Sequence, residues 1–494
     1  MKATRSSALR GTCLCVIVSM LAACAMGPDF VRPQPPVADS YTRGPLASAT
    51  LEADSQTQHF DSNTSLTAEW WLMFKSPQLD SVVRRAIRNN PTLQAAEASL
   101  RQSQDNLRAG YGVFYPHVNA DLDAVRERTA QSQQGLKAPS TVFNLVTLSG
   151  TVGYTLDIFG GARRTVEGLR AQADYQGYLA KAAYLTLSAN VVNTCIARSA
   201  YEAQVHATEQ LIALEDQQLR LADVQFQAGT SSYSNVLSLR GSIAANQALL
   251  APLRQRVSQC EDLLATLEGV VPSKAFLPDI ELASIVLPVD LPLSLPSDLV
   301  RQRPDILSSE SQMHAASANI GVATAAMFPS FNLTGTYGAS SNSFSTLSAA
   351  SGRFWSIGPS ATIPLFQGGS LWFGRRAAID AFQQSQAAYR ETVLGAFAQV
   401  ADSLKALEHD AEALRAQVDS RRAAGENLGL LQANYQAGLV VYSDVLAADI
   451  QLHSETIAYL QAVAQRQQDT VALLVALGGG WWNETSTQEE GGAP

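Results

Sequence analysis

The sequence predicts an α+β membrane protein built as two copies of one plan of strands and very long helices. Three observations lead to this class. A dodecamer occurs twice, as FQAGTSSYSNVL at residues 226–237 and YQAGLVVYSDVL at residues 435–446, with seven identical positions. Two long windows lack proline and are rich in helix-forming residues. Four further segments alternate apolar and polar residues with the period of a β-strand.

The composition excludes several classes of protein. The chain has 494 residues, of which 46% are hydrophobic and 16% charged, so it is not disordered throughout. Its formal net charge is −9, and no basic field exists to attract phosphates. Nucleic acid is therefore not an expected partner.

The N-terminus predicts export and attachment to lipid. Residues 1–23 read as a signal peptide, with a basic start and an apolar stretch from Cys13 to Ala22 that is too short to span a bilayer. This stretch ends in LAAC, which looks like a bacterial lipobox, so Cys24 is the predicted lipidation residue and outer-membrane lipid a predicted partner. The alternative is an ordinary signal followed by a chance cysteine.

Two proline-free windows predict the long helices. The first runs between Pro139 and Pro252, and the second between Pro364 and Pro494. A helix of some 66 residues spans about 100 Å at 1.5 Å per residue, far more than an ordinary globular helix. Each window is interrupted by the Ala-Gly of a dodecamer, where glycine accepts the left-handed conformation that ends a helix. Each dodecamer is therefore the predicted tip of an antiparallel helix pair, with a kink or break at Pro252 in the first returning helix.

The alternating segments predict two pairs of strands. One face of each strand is apolar, and the other carries hydroxyl or acidic side chains, among them Asp121 and Asp123. A strand of about ten residues crosses a bilayer when tilted. A soluble sandwich with its apolar face turned inward is the alternative, and alternation alone does not exclude it.

Four strands cannot close a barrel, and an open edge inside lipid leaves backbone groups unpaired. If the strands face lipid, three chains would share one barrel of twelve strands, with a bore lined by Ser, Thr and Asp. Asp121 and Asp123 would then give the bore a preference for cations. The alternative is that these two side chains only keep the wall of the bore hydrated.

Further matches between the halves define the two copies. NPTL at residues 90–93 corresponds to RPDI at 303–306, and FYP at 114–116 to MFP at 327–329. The predicted boundaries are 1–23 for the signal, 24–68 for an extended tether, 69–269 for the first copy, 270–297 for a Pro-rich linker, 298–480 for the second copy and 481–494 for a polar tail. The predicted strands cover about 115–130, 141–158, 330–344 and 353–365, and the predicted long helices about 162–228, 232–269, 370–437 and 440–477.

No pattern in the sequence predicts enzyme chemistry. The six histidines are scattered, and no zinc motif, nucleophile elbow or phosphate loop occurs. We therefore expect no catalytic residue, no metal site and no cofactor.

Several motifs together resemble the outer-membrane factor family of bacterial tripartite efflux systems, the TolC-like channels, and in particular its NodT-type lipoprotein branch. The lipobox is followed by GPDFVRP at residues 27–33 and WWLMF at 70–74. RPDILSSE, ANIGVATAAMFPSFNLTG and IPLFQGG follow in the second half, and the two dodecamers complete the set. The resemblance covers nearly the whole chain after the signal.

The resemblance implies a homotrimer with a twelve-stranded β-barrel in the outer membrane and a long α-helical coiled-coil barrel in the periplasm. It implies that the tips form an iris, closed at rest, and dock on a periplasmic adaptor protein coupled to an inner-membrane pump. The expected function is a passive exit duct for drugs or small toxic compounds. A duct for type I protein secretion or metal export is the alternative in the same class, and a periplasmic coiled-coil lipoprotein without a pore is the alternative outside it.

The tips and the helix before the second tip hold the candidate residues. The expected adaptor-docking residues are Gly229, Tyr233, Asn235, Gly438, Tyr442 and Asp444. The candidates for the periplasmic gate are Leu430, Leu431 and Gln432, a stretch that has no carboxylate. Asn235 and Asp444 could instead cap the helices that follow them.

Overall fold

A computed structural model describes residues 25–35, 40–44, 47–61, 66–129, 139–294 and 296–483. The predicted signal peptide, Cys24 and the end of the polar tail lie outside the described residues. The helices are α1 Pro77–Asn89, α2 Pro91–Gly110, α3 Gly161–Gln227, α4 Tyr233–Leu267, α5 Pro296–Gln302, α6 Pro304–Ala325, α7 Ser370–Gln436 and α8 Tyr442–Ala476. The strands are β1 His59–Asp61, β2 His117–Thr129, β3 Thr141–Leu156, β4 Asp290–Pro292, β5 Ser330–Ser341 and β6 Arg353–Thr362.

The long helices occur in two pairs of equal length. Helices α3 and α7 each have 67 residues, and α4 and α8 each have 35. The break considered at Pro252 is absent, because α4 runs through this proline to Leu267. A long helix tolerates the loss of one backbone hydrogen bond when its neighbouring turns are intact. Within the described part of the chain, no helix combines the length and the apolar character needed to cross a bilayer.

The chain divides into two compact units. The first consists of the residues up to Pro33 with Leu100–Gln176 and Ser309–Tyr389, and the second contains the remainder. The first unit holds strands β2, β3, β5 and β6, and the second holds both dodecamers.

The first unit contains one antiparallel sheet in the order β2–β3–β5–β6. The register of its strands pairs apolar side chains with apolar ones and polar side chains with polar ones. Val118 lies opposite Val152 and Leu122 opposite Leu148, whereas Asp121 lies opposite Ser149. The same separation continues across the other strand pairs, with Tyr337 opposite Trp355 and Thr151 opposite Thr336. Residues directly opposite each other share a face, so the sheet has one apolar face and one hydroxylated, acidic face.

The apolar face of this sheet is not covered by the chain itself. Val118 is 71% exposed, Trp355 73% and Ile357 70%. A soluble sandwich would bury these side chains, so that alternative does not describe the structure. In the described residues, β2 and β6 each pair with one strand only, which leaves two open edges.

The second unit has a conventional buried core. Trp70, Trp71 and Phe74 lie in a short 3-10 helix and are at most 1% exposed. The indole Nε1 of Trp71 donates to Asp80 at 2.9 Å, which fixes this segment against the first turn of α1. Ser76 caps α1 by accepting from the amide of Leu79.

The predicted tether is wrong for the described residues of the N-terminal segment, which are packed into the folded body. In the second unit, β1 pairs in parallel with β4 of the Pro-rich linker. Gln58 is fully buried and accepts from Nε of Arg466 at 3.1 Å. In the first unit, Asp29 pairs with Nη2 of Arg164 at 2.6 Å. Buried arginines need polar partners, and these segments supply them.

Candidate functional site

The first candidate site comprises the two helix tips, and both end α-helices in the same way. Gly229 and Gly438 have φ angles of +74° and +73°. The amide of Gly229 donates to the carbonyl of Phe226, and that of Thr230 to the carbonyl of Gln225, both at 2.9 Å. The second tip repeats both bonds around Gly438. This pair of bonds is the Schellman motif, which glycine permits at no steric cost.

The two hairpins are packed together just behind their tips. Ala222, Val236, Leu239 and Leu446 form one buried cluster with contributions from both hairpins. A second cluster contains Leu428, Val445 and Ala448. The first cluster joins the two hairpins, whereas the second lies within the second hairpin and packs its two helices together.

The equivalent tyrosines of the two dodecamers have different roles. Tyr233 is 45% exposed and contacts Phe226 at a centroid distance of 5.1 Å. Tyr442 packs against both buried clusters, and its hydroxyl donates to Oε1 of Gln218 on the other hairpin. Burial raises the pKa of Tyr442, so its hydroxyl stays protonated. Tyr233 is therefore exposed at the first tip, whereas Tyr442 lies between the hairpins.

Asn235 and Asp444 do not occupy the cap positions of their helices. The N-cap residues are Ser232 and Val441, and neither makes a side-chain cap bond. Asn235 lies three residues further on and donates from Nδ2 to Oγ of Ser231 at 3.0 Å. Asp444 is exposed in the first turn of α8, where a negative charge is favoured by the helix dipole.

The three gate candidates do not share one environment. Leu430 is 61% exposed, and Gln432 is also exposed. Leu431 packs against the cluster of Leu428 and Val445. In a single chain, Leu430 and Gln432 are therefore the side chains of this stretch that face away from the hairpin core.

Two exposed apolar residues belong to the tip surface and were missed by the sequence reasoning. Leu439 is 74% exposed and Val441 64%. The first tip has Thr230 and Ser232 at the equivalent positions. The sequence did indicate this surface, because the two dodecamers differ at these positions. Apolar residues that follow a tip glycine are unexpected where the chain faces water.

A buried polar cluster lies further along the same hairpins. Glu215 is fully buried and accepts from Ser242 and, at 2.9 Å, from Nδ2 of Asn246. Burial raises the pKa of Asp449, and Glu215 raises it further. Burial lowers the pKa of His453, while Glu215 opposes that shift. The cluster joins α3 to α4 by hydrogen bonds to a carboxylate, which are stronger than neutral ones.

The second candidate site is the polar face of the sheet. Asp121 and Asp123 are exposed on β2, opposite Ser149 and Thr147. Hydrogen bonds between side chains connect β3 to β5 across this face. Oγ1 of Thr147 and Oγ of Ser340 are 3.2 Å apart, and Oγ1 of Thr155 donates to Oδ1 of Asn332 at 2.7 Å. The arrangement concentrates the Ser, Thr and Asp oxygens of these strands on one side of the sheet.

The described residues contain no group of three or more His, Cys, Asp or Glu side chains that could hold a metal ion. Cys195 and Cys260 are free thiols. Burial raises the pKa of Cys195 to about 12, so its thiolate is not formed at neutral pH.

Comparison with known proteins shows which family has this architecture. A family model described as outer membrane efflux protein matches residues 82–270 and 295–479. The toluene efflux pump outer membrane protein TtgC of Pseudomonas putida is 28% identical over 479 residues, 96% of each chain. The cation efflux system protein CusC of Escherichia coli is 28% identical over 94% of this chain and 98% of CusC. The solved open state of the MtrE outer membrane channel of Neisseria gonorrhoeae has a TM-score of 0.80 at 25% identity, over 94% of this chain and 100% of that one.

The open-edged antiparallel sheet and the two long helical hairpins of this chain are therefore the fold of an outer-membrane channel. Since the family model covers well over half of its residues, this chain belongs to the outer membrane efflux protein family. The resemblance drawn from the motifs is thereby confirmed, as are the outer-membrane location and the role in efflux. The oligomer, the docking residues and the gate stay predictions.

Proposed function

We propose that three copies of this chain close one twelve-stranded barrel in the outer membrane and form a passive exit duct. The observation that carries this proposal is an apolar sheet face left exposed on a sheet with two open edges. Each unpaired backbone group inside lipid costs several kcal/mol, and strands from neighbouring copies remove this cost. Three chains give about twelve strands, which is enough for a water-filled bore.

The polar face of the sheet is the proposed wall of the bore. Hydroxyl groups from β3 and β5 line it, and Asp121 and Asp123 add negative charge from β2. The equal lengths of the two helix pairs support two copies of one plan in each chain. Three chains then contribute six hairpin tips to the periplasmic end of the duct.

The tips are the proposed docking and gating region. Tyr233, Leu439 and Val441 are exposed, which suits contact with a periplasmic adaptor, and Asp444 adds a charge beside them. Leu430 and Gln432, which are exposed, are the residues proposed to narrow the opening when the tips converge. The solved open state of MtrE supports a gated duct. Energy comes from the inner-membrane pump, since the duct itself performs no chemical step.

The substrates are proposed to be drugs or small toxic compounds. The relatives named for toluene and for cations are equally similar, at 28% identity each. Overall similarity therefore does not distinguish organic substrates from metal ions. Among the described residues, no cluster of side chains that could bind a metal ion is found.

Single-channel recording in planar bilayers tests the duct. We expect discrete conductance steps with a preference for K⁺ over Cl⁻, because Asp121 and Asp123 hold negative charge in the wall. The double variant Asp121→Asn, Asp123→Asn should shift the reversal potential toward zero at similar conductance. The control, Asp105→Asn with Asp380→Asn, removes two exposed carboxylates outside the strands. Absence of conductance contradicts the duct, and an unchanged reversal potential contradicts the role of the two aspartates.

Lipidation at Cys24 is tested by metabolic labelling with palmitate. The Cys24→Ala variant should lose the label completely, because the thioether can form only at this sulfur. The double variant Cys195→Ala, Cys260→Ala is the control and should keep the label, since both cysteines belong to the folded body. Label retained by Cys24→Ala would show that the anchor is elsewhere.

A further inference from the structure

A cavity in the second unit is unrelated to the tips or the sheet. Its volume is about 500 Å³, within the range of small-molecule sites. Five separate segments form its wall: residues 53–56, the middle of α3, the linker around residue 280, α7 and the second half of α8. Leu414 of α7 also lines it and lies 24 residues before Gly438. That separation is about 36 Å along the helix, so the cavity is not part of the docking surface.

The floor of the cavity is apolar. Ile280, Leu282 and Leu414 line it and are each no more than 6% exposed. Leu460 and Val463 of α8 extend this surface. Such a floor favours the apolar body of a ligand over a bare ion.

The polar part of the cavity is acidic. Asp54, Glu202, Asp279 and Glu281 line it. Among the described lining residues, Arg466 is the one arginine or lysine and His206 the one histidine. Arg466 is 1% exposed, and its guanidinium donates to Gln58, Thr50 and the carbonyl of Ala53. Its charge is therefore directed into the wall and not toward a ligand.

Two of the lining carboxylates, Glu202 and Asp279, lie close enough to influence each other, and Glu202 also pairs with Nη2 of Arg198 at 2.8 Å. Burial raises the pKa of Glu202, and Asp279 and Glu261 raise it further, while Arg198 lowers it. Asp54 accepts from the hydroxyl of Tyr459 at 2.6 Å. Asp279 and Glu281 form no ion pair within the described part of the chain. A cation placed in the cavity would relieve this repulsion.

Two buried side chains in the wall offer acceptors that are not used. Ser199 and Gln467 are 2% and 4% exposed, and both line the cavity. Among the described residues, Oγ of Ser199 and Oε1 of Gln467 have no hydrogen-bond partner. Nε2 of Gln467 donates to the carbonyl of Ile285 at 2.9 Å, which fixes the orientation of the amide. A buried acceptor without a partner is costly, and a ligand with N–H donors would satisfy it.

We propose that this cavity binds an organic ammonium compound, with its apolar body on the aliphatic floor and its N–H groups toward the carboxylates and the free oxygens. A metal ion fits less well, because the floor is aliphatic and the described residues contain no metal-binding cluster. An anion is opposed by the four carboxylates. The site goes beyond the proposed duct, since neither the wall nor the docking surface requires it.

The test is titration calorimetry of the full-length protein in lipid nanodiscs with 3-phenylpropylammonium, with empty nanodiscs as the blank. We expect saturable binding of one probe per chain with Kd below about 1 mM, weakening as salt is added. The neutral 3-phenylpropan-1-ol should bind at least about tenfold more weakly, because it lacks the charge.

The variant Asp279→Asn, Glu281→Gln should weaken binding about tenfold and, being exposed, should leave the fold intact. Its control, Glu408→Gln with Asp419→Asn, removes the same charge from exposed ion pairs on α7 and should bind like the wild type. Ala203→Phe should block the site by filling it, with folding checked by circular dichroism. The proposal fails if no saturable binding occurs up to about 10 mM. It also fails if the alcohol binds equally well, or if both double variants weaken binding to the same degree.

Discussion

Replacing Gly438 with valine is expected to weaken adaptor binding about tenfold, and efflux with it, while the oligomer still assembles. Gly438 has a φ of +73°, and an added Cβ would meet no atom within 4 Å. The penalty is therefore backbone strain, about 1–2 kcal/mol and more for a β-branched residue. The tip would rearrange to relieve it, and the exposed Leu439 and Val441 would lose their present positions. Surface plasmon resonance with the purified adaptor and drug-susceptibility assays measure the loss.

The companion variant Asp444→Asn tests the charge without changing the backbone. We expect a smaller loss, chiefly in the association rate and its salt dependence, because Asp444 is an exposed charge. Gly429→Ala is the control for the glycine, since Gly429 lies inside α7 with no atom near an added Cβ. Asp419→Asn is the control for the charge. Normal resistance in a strain that carries both tip substitutions would show that the tips do not dock the adaptor.

Replacing Arg466 with methionine is expected to cause the largest loss of stability. The side chain is 1% exposed and bonded to Gln58 and Thr50, with both partners buried. Its removal leaves the buried oxygens of Gln58 and Thr50 without this donor, at a cost of about 1–3 kcal/mol for each. The loss should be local, so hydrogen exchange of residues 47–61 should accelerate by about two orders of magnitude or more.

The effect of Arg466→Met should also depend on pH. Burial, and next Asp469, raise the pKa of Asp410 to about 7, while Arg466 and His409 lower it. The folded state therefore binds a proton on Asp410 more tightly than the unfolded chain does, because the pKa of this carboxyl is near 3.8 when the chain is unfolded. Stability consequently falls as the pH rises from the unfolded pKa to the folded pKa. Without Arg466 the folded pKa rises further. The loss should therefore be greater at about pH 8 than at about pH 5.

Arg422→Met is the matched control for Arg466. Arg422 is 65% exposed and pairs with Asp419 at 2.6 Å on the surface of α7. Its loss should change stability by less than about 0.5 kcal/mol, with little dependence on pH. Equal acceleration of exchange in the two variants would contradict the assigned role of Arg466.

Periodicity made the sheet and the long helices predictable. The strand period of two determines which residues share a face, and the observed register pairs Val118 with Val152 and Asp121 with Ser149, as alternation requires. The helix ends were predictable because glycine is the residue that tolerates the left-handed conformation found at Gly229 and Gly438.

Features that depend on distant neighbours could not be predicted in this way. Tyr233 and Tyr442 occupy the same position of the dodecamer, yet Tyr442 is half-buried because Gln218 and Leu219 of the other hairpin lie beside it. The N-terminal segment has the composition of a tether, and it is ordered by Arg466, more than 400 residues away. The cavity combines five distant segments, so no local pattern could indicate it.

The oligomeric state of the full-length protein extracted from membranes tests the central claim most directly. Native mass spectrometry should give the mass of three chains, because only neighbouring copies can pair the free edges of β2 and β6 in lipid. A mass of one chain, in a protein that stays in solution without detergent, would contradict the account.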